Sequence, residues 1–211
     1  WFAPLIGNNA ADNSLNLDYP YSKYSQKILW GGSPTHGAGF VQGNGTTSFG
    51  KIGLGSSALD PTSYSFGFFS LDTAFYAGTI GEMGFAGNWN NGTYLQLSTS
   101  GVIGGSPAFC NNLYGSKLQA MPENASGLIM GHVSSTRKAF SRNSTILAQS
   151  AANLGIYQGQ TDDAILLGYY STFSSRRIGA YLICDHLENA QITDLSTIIN
   201  QFITDKGAVI I

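Results

Sequence analysis

The sequence predicts an all-β protein, a two-sheet antiparallel β-sandwich or jelly roll that ends in one amphipathic helix. Three observations support this prediction. Short apolar runs alternate with turn-forming segments such as "QGNG", "GNWNNG" and "PENASG". The 27 glycines suit many tight turns between strands. Only the stretch "NAQITDLSTIINQF" repeats apolar residues at helical spacing.

The composition indicates one folded domain and excludes several classes of protein. The chain has 211 residues, of which 43% are hydrophobic, enough for one core. Charged residues make up 10% and the net charge is −2, so the basic surface that nucleic-acid binding requires is missing. No run of 18 apolar residues predicts a membrane span. Because the chain starts at Trp1, we expect a processed product or the C-terminal part of a longer protein.

The first 27 residues differ from the rest of the chain. Residues 1–27 carry Pro4, Pro20 and polar clusters, which predict an extended lead-in segment with one edge strand in "WFAPLI". The sandwich is expected over residues 28–211. Predicted strands are 27–31, 46–52, 63–70, 74–86, 93–99, 117–120, 127–133, 136–141, 145–149, 164–170 and 177–184.

Two strands carry a further expectation. "YSFGFFSL" is apolar throughout and is predicted to be central, whereas "TRKAFSR" alternates charge with apolar residues and is predicted to have one wet face. The helix is predicted over 189–206, with Asn189 as its N-cap and Gly207 just past its end. Its apolar stripe is expected to cover one side of the sandwich rather than bind a partner. The stripe consists of Ile192, Leu195, Ile198, Ile199, Phe202 and Ile203.

Three stretches resemble a known superfamily. "WGGSPTHGAGFVQGNGTTSFG", "GLIMGHVSSTRKAFSRNSTIL" and "RRIGAYLICDHLENAQITDLSTIINQFITDKG" are similar to a concanavalin A-like (LamG-like) lectin/glucanase domain. Domains of this kind occur at the C-terminus of phage and prophage structural proteins. The resemblance implies a concanavalin-like sandwich with a packed terminal helix, a virion or cell-surface setting, and a binding or scaffolding role. At Cys184 the family more often has a small residue such as glycine.

The acidic residues do not form a recognisable catalytic pattern. Glycanases need two carboxyl groups on either side of the scissile bond, and "TIGEMGFAG" places only Glu82 in a strand-like run. Asp185 and His186 are neighbours whose side chains would point to opposite faces of a strand. His36 and His132 are isolated, and no zinc motif is present. We therefore expect no catalytic residues, no enzyme activity and no cofactor.

Metal and disulfide chemistry have one weak candidate each. Asp162 and Asp163 share a turn and could supply oxygen ligands to Ca²⁺, although such a pair is usually only solvated. Cys110 and Cys184 could form one disulfide or remain two buried thiols, and the sequence leaves both alternatives open.

Two loops have the composition of sugar-binding sites, in which an aromatic ring lies beside planar polar groups. "GNWNNGTY" offers Trp89, Asn90 and Tyr94, and "FCNNLYG" offers Asn112 and Tyr114. The alternative is that asparagine and glycine simply build turns here. N-glycosylation sequons begin at Asn44, Asn91, Asn124 and Asn143, but a chain this rich in Asn, Ser and Thr produces several by chance.

Three functional hypotheses follow. The first is a non-enzymatic, lectin-like sandwich of a virion or extracellular surface, binding host glycans and present in homo-oligomers. The second is a subunit of an extracellular filament or coat, in which residues 1–27 add a strand to a neighbouring copy. The third is a polysaccharide-degrading enzyme that uses Glu82.

Overall fold

A computed structural model describes residues 1–17, 27–55, 59–60, 62–76, 81–85, 93–98, 108–113, 117–120, 124–151, 163–169 and 172–206. In chain order the strands are β1 (Phe2–Pro4), β2 (Leu29–Gly31), β3 (Thr35–Gly37), β4 (Phe40–Gln42), β5 (Phe49–Gly55), β6 (Tyr64–Ser70), β7 (Gly81–Phe85), β8 (Thr93–Ser98), β9 (Ala108–Leu113), β10 (Lys117–Ala120), β11 (Gly127–Val133), β12 (Arg137–Arg142), β13 (Thr145–Ala151), β14 (Asp163–Leu166), β15 (Gly168–Tyr169), β16 (Thr172–Phe173) and β17 (Arg177–Cys184). A 3₁₀ turn covers Asp12–Ser14, and helix α1 covers Asn189–Asp205.

These strands form the predicted two-sheet antiparallel β-sandwich. The first sheet has the order β13-β12-β11-β6-β17-β4-β3, with β1 also pairing with β17. The second sheet has the order β10-β9-β8-β7-β14-β5-β2. Strands β15 and β16 form a small separate hairpin. The fold class predicted from the sequence is confirmed.

The core lies in two layers. The larger cluster fills the space between the sheets, where Phe66 of the first sheet and Phe85 of the second meet with ring centroids 5.4 Å apart. The smaller cluster lies between the first sheet and α1, and includes Phe69 and Leu182. Burying a side chain of this size contributes roughly 1.5–3 kcal/mol relative to leaving it exposed, so both layers stabilise the fold.

Helix α1 covers the first sheet, as its spacing predicts. Ile192, Ile199 and Ile203 are buried, and the last two belong to the smaller cluster, but Ile198 is 63% exposed and does not belong to the buried stripe. The N-cap is Glu188 rather than Asn189: its backbone N–H donates to the Oε1 atom of Gln191 at 2.8 Å. Within the described residues, no helix has the length and apolar character of a membrane span.

The strand predictions have a mixed outcome. Strand β6 is central and all seven of its residues are buried, as predicted. Strand β12 lacks the predicted solvent-exposed face. Its four central residues are all buried, and Lys138 among them is only 1% exposed. Of the predicted strand 74–86, β7 covers Gly81–Phe85, while residues 77–80 and 86 lie outside the described residues. The sequence predicts none of the short strands β3, β4 and β16, nor the Asn-containing β9, since none has a clear apolar alternation.

The described part of the lead-in segment is built into the sandwich. Phe2 pairs with Leu182 and Pro4 with Ala180, so β1 lies along β17 of the same chain. The Trp1 amino group donates to the Ile183 carbonyl at 2.8 Å. The expected edge strand in "WFAPLI" is therefore present, but it extends its own sheet. This pairing removes the main support for strand addition to a neighbouring copy.

Candidate functional site

A continuous row of residues crosses the second sheet on its outer face. Directly opposed residues in antiparallel strands share a face, so the register defines the row from edge to edge. Leu29, which is 68% exposed, and Lys51, also exposed, identify this face as the outer one. In order the row contains Leu29, Lys51, Ile165, Gly84, Tyr94, Asn112 and Lys117. Because α1 packs on the first sheet, this row is on the side of the sandwich away from the helix.

The row brings together two of the residues predicted to bind sugars. Tyr94 of β8 and Asn112 of β9 are direct cross-strand partners, so the two lectin-like stretches of the sequence lie side by side. Tyr94 is only 2% exposed and does not offer the open ring that stacking requires. Trp89, Asn90 and Tyr114, which complete the predicted set, lie outside the described residues.

A buried ion pair joins the two sheets at one end of the sandwich. Glu82 of β7 and Arg176, just before β17, are both fully buried, with the Arg176 Nε atom 3.3 Å from the Glu82 Oε1 atom. The Leu97 N–H donates to Glu82 Oε2 at 2.7 Å. Burial raises the pKa of Glu82 to about 7, although Arg176 and the Leu97 N–H both act in the opposite direction.

The Arg176 guanidinium makes an unusually complete set of contacts. It donates to the carbonyls of Ala74 at 3.0 Å and Leu97 at 3.1 Å, and to the Ser70 hydroxyl at 3.3 Å. It also lies 4.8 Å from the centroid of the Tyr76 ring. Since Ala74 follows the first sheet and Leu97 belongs to the second, one side chain fixes the spacing of both sheets.

A second acid beside this pair is also bound to an arginine. Asp72 Oδ1 accepts a hydrogen bond from Arg177 Nε at 2.8 Å, and Asp72 Oδ2 accepts one from the Tyr76 hydroxyl at 2.9 Å. Burial and this hydrogen bond raise the pKa of Tyr76. The carboxyl groups of Glu82 and Asp72 are thus each paired with a neighbouring arginine.

Sequence reasoning considered Glu82 alone and missed Asp72, Arg176 and Arg177. Adjacent arginines directly before an apolar strand are a usable signal in a chain with only 10% charged residues. Cations so close to a buried strand need acceptors in the interior.

A buried histidine lies on the helix side of the first sheet. His132 Nδ1 is 3.0 Å from the Ser65 hydroxyl, and His132 Nε2 is 2.8 Å from the Ser141 hydroxyl. Burial is the main cause that lowers the pKa of His132 to about 3. His132 is therefore neutral in the folded protein. Each of its ring nitrogens has a serine hydroxyl as its described partner, whereas the histidine of a catalytic triad is oriented by a carboxylate.

The sequon asparagines that the structure describes all serve as hydrogen-bond acceptors in turns. Asn44 Oδ1 accepts the Thr46 N–H at 3.0 Å, and Asn124 Oδ1 accepts the Ser126 N–H at 3.1 Å; each is an Asx turn. Asn143 Oδ1 accepts the Leu128 N–H at 3.0 Å. Asn91 lies outside the described residues. The Asn-x-Ser/Thr pattern thus has a structural explanation, and glycosylation stays a prediction.

The remaining predicted sites stay predictions. Cys184 packs toward the helix side of the first sheet, while Cys110 belongs to β9 of the second sheet and its side chain is not described. Asp163 begins β14, and Asp162 lies outside the described residues. Among the residues that are described, no group of three or more His, Cys, Asp or Glu side chains could hold a metal ion.

Comparison with known proteins identifies the fold but not the family. No family model matches the chain. No curated protein sequence matches it either. Among solved structures, domain 4 of AbnA, a GH43 extracellular arabinanase from Geobacillus stearothermophilus in complex with arabinotriose, is similar with a TM-score of 0.53 and 14% identity. That match covers 79% of this chain and 82% of the other.

Two sialidase structures are also similar. Trypanosoma rangeli sialidase in complex with a difluorinated KDN matches with a TM-score of 0.59 and 11% identity, over 96% of this chain but 32% of the sialidase. A mutant of the same sialidase with trans-sialidase activity matches with a TM-score of 0.58 and 8% identity, over 84% of this chain and 30% of that one. The chain therefore spans about a third of these enzymes, and the likeness concerns the sandwich fold alone.

Proposed function

We propose that this protein is a carbohydrate-binding β-sandwich without glycosidase activity of its own. The observation that carries the proposal is the direct pairing of Tyr94 with Asn112 on the outer face of the second sheet. This pairing places the backbones of the two lectin-like stretches side by side. The likeness to a sandwich domain in complex with arabinotriose agrees with this proposal at the level of fold.

The charge arrangement favours binding over hydrolysis. A glycosidase needs one carboxyl group that can donate a proton to the substrate and a second one nearby. Glu82 has no exposed surface, and its carboxylate contacts Arg176. The Asp72 carboxylate contacts Arg177. Neither acid is placed to reach a sugar at the surface.

We further propose a virion or other extracellular surface as the setting, with several copies of the chain in one assembly. The support is the resemblance of three sequence stretches to phage-associated concanavalin A-like domains. Such a module would hold a particle or fibre close to a glycan-coated cell, where many weak contacts add up to firm attachment.

The binding proposal is tested with a glycan array followed by titration calorimetry on the strongest ligand. Lys51→Ala and Asn112→Ala change the row on the second sheet, and Trp89→Ala changes the adjoining predicted loop. Lys27→Ala is the matched control for Lys51→Ala, since both lysines are exposed and only Lys51 lies in the row. We expect the row variants to weaken binding and the control to leave it unchanged. The absence of any glycan ligand would refute the proposal.

The enzymatic alternative has its own test. Wild-type protein and Glu82→Gln are incubated with mixed polysaccharides, and new reducing ends are measured. We expect no turnover by either protein. Turnover by the wild type that Glu82→Gln abolishes would overturn the non-enzymatic assignment.

A further inference from the structure

A polar groove lies between α1 and the turn that connects β12 to β13. Its volume is about 440 Å³, within the range of roughly 300–1,000 Å³ found for small-ligand sites. Its lining is made of amide and hydroxyl side chains: Asn143, Ser144, Ser196, Thr197, Asn200, Gln201 and Thr204. None of these side chains is ionisable near neutral pH, which distinguishes this groove from the charged end of the sandwich.

The turn side of the groove is rigidly built. Asn143 has a positive φ of 51°, and its backbone N–H donates to the Leu128 carbonyl at 2.7 Å. Its Oδ1 atom accepts hydrogen bonds from the Leu128 N–H at 3.0 Å and from Asn200 Nδ2 at 3.4 Å. Gly127 lies directly against this amide, since a Cβ atom there would be 2.5 Å from Asn143 Oδ1. Strand, turn and helix therefore fix the position of Asn143.

The helix side contains a buried hydroxyl with no partner. Ser196 is 2% exposed, and within the described residues its Oγ atom makes no hydrogen bond. Leaving a buried hydroxyl unsatisfied costs roughly 1–3 kcal/mol. The neighbouring Asn200 Nδ2 is already used, since it donates to the Ser196 carbonyl at 2.6 Å. Ser196 thus lines the groove with a hydroxyl whose hydrogen-bonding capacity is unused among the described residues.

The groove offers donors and acceptors together. The Ser144 and Ser196 hydroxyls can donate or accept, and the Asn200 and Gln201 carbonyl oxygens can accept. A ligand that matches this set carries several neutral hydroxyl groups, each of which donates and accepts. A charged ligand would find no counter-charge in the lining, and an apolar one would leave these groups without partners.

We propose that this groove binds one or two rings of a neutral saccharide, with the Ser196 hydroxyl as a specificity-determining contact. The ligand class rests on the proposed function, but the site is separate from the row on the second sheet. A saccharide held here would contact the helix and the β12–β13 turn at once. The sandwich would then carry a second sugar site, on its helix-covered side.

The test is a ¹⁵N NMR titration of the full chain with arabinotriose, lactose, maltotriose and N,N′-diacetylchitobiose at millimolar concentrations. We expect one of them to shift the backbone amide signals of Ser144, Ser196 and Asn200. Thr197→Arg fills the groove and should weaken binding about tenfold or more, a loss of about 1.4 kcal/mol. Thr193→Arg is the matched control: both threonines are exposed and each donates its hydroxyl to the carbonyl four residues earlier, at 3.0 and 3.1 Å.

Ser196→Ala adds a test that misfolding cannot mimic. Removing an unpaired buried hydroxyl should leave the melting temperature unchanged or raised, while it weakens saccharide binding. Shifts confined to the second sheet, or equal losses in Thr193→Arg and Thr197→Arg, would overturn this inference and leave the proposed function standing. If none of the saccharides shifts the groove amides and the glycan array is also negative, both proposals fail.

Discussion

The Arg176 Nε atom lies 3.3 Å from the Glu82 Oε1 atom, with both side chains entirely removed from solvent. Removing one partner from such a pair leaves an uncompensated buried charge, whereas replacing both can be nearly neutral. The pair connects the two sheets, so its loss affects the whole sandwich rather than one loop.

Arg176→Ala should therefore destabilise the protein by roughly 3–5 kcal/mol. The double variant Glu82→Gln/Arg176→Met should recover a large part of this loss, because it leaves no buried charge. Urea denaturation of both single variants, the double variant and the wild type measures the coupling between the two sites. A double variant as unstable as the sum of the single variants would contradict an interaction between them.

His132 should make stability depend on pH. Its pKa is about 3 in the folded protein, so below its ordinary value of 6.5 the unfolded chain takes up a proton that the folded one does not. The contribution of His132 to the free energy of unfolding is therefore complete above pH 6.5. It falls by about 1.4 kcal/mol for each pH unit below that value. His132→Gln removes this contribution. Urea unfolding of both proteins from neutral to mildly acidic pH measures it, and parallel pH profiles would disprove it.

We expect Asn44 to stabilise the protein through the hydrogen bonds of its turn rather than through an attached glycan. Its Oδ1 atom accepts the N–H groups of Thr46, Thr47 and Ser48 at 3.0, 2.8 and 3.0 Å. Asn44→Gln places that oxygen out of reach and should cost roughly 1–3 kcal/mol. Asn44→Asp keeps the acceptor and should cost less. Both variants abolish the sequon, so equal thermal shifts in a glycosylating host would favour a glycan effect instead.

Gly127 should be far less replaceable than Gly53, although both have positive φ angles, of 101° and 63°. A Cβ atom on Gly127 would lie 2.5 Å from Asn143 Oδ1, whereas one on Gly53 meets no atom within 4 Å. Gly53→Ala should therefore cost about 1–2 kcal/mol for backbone strain, and Gly127→Ala clearly more. Chemical denaturation of the two variants gives the comparison, and similar losses would argue against the close contact at Asn143.

Deleting residues 1–5 should lower stability and promote association. The deletion removes β1 with the fully buried Ala3, removes the fully buried Leu5 that follows it, and exposes part of the edge of β17. Unpaired strand edges attract other strands. Light scattering and thermal melting measure both effects. Loss of an assembly that the full chain forms, with unchanged stability, would instead support strand addition between copies.

The sequence predicts the sandwich and its helix because their signals are local. Strand β6 is one apolar run, and the helical repeat of α1 follows from residue spacing alone. The exposed Ile198 shows the limit of that reasoning, since spacing identifies a stripe but not its exact width. The segment around Asn44 is also local, but its sequence indicates a sequon and not the hydrogen bonds that form the turn.

The candidate sites depend on contacts that are distant in sequence. Arg176 and Glu82 are 94 residues apart, and Asn143 and Asn200 are 57 apart. No local pattern predicts that these side chains meet. The Tyr94–Asn112 pairing is predictable only in part. Composition identifies the two stretches, but only the strand register places them side by side.

The position of β17 has a consequence for how the chain acquires its structure. Among the described residues it is the last strand in chain order, yet it lies between β6 on one side and β1 and β4 on the other. During synthesis these three strands emerge from the ribosome well before their common partner. The first sheet can therefore close only after translation of residues 177–184, and folding depends on contacts of high sequence separation. Until then the nascent chain exposes unpaired strand edges, the stage at which a chaperone would protect it.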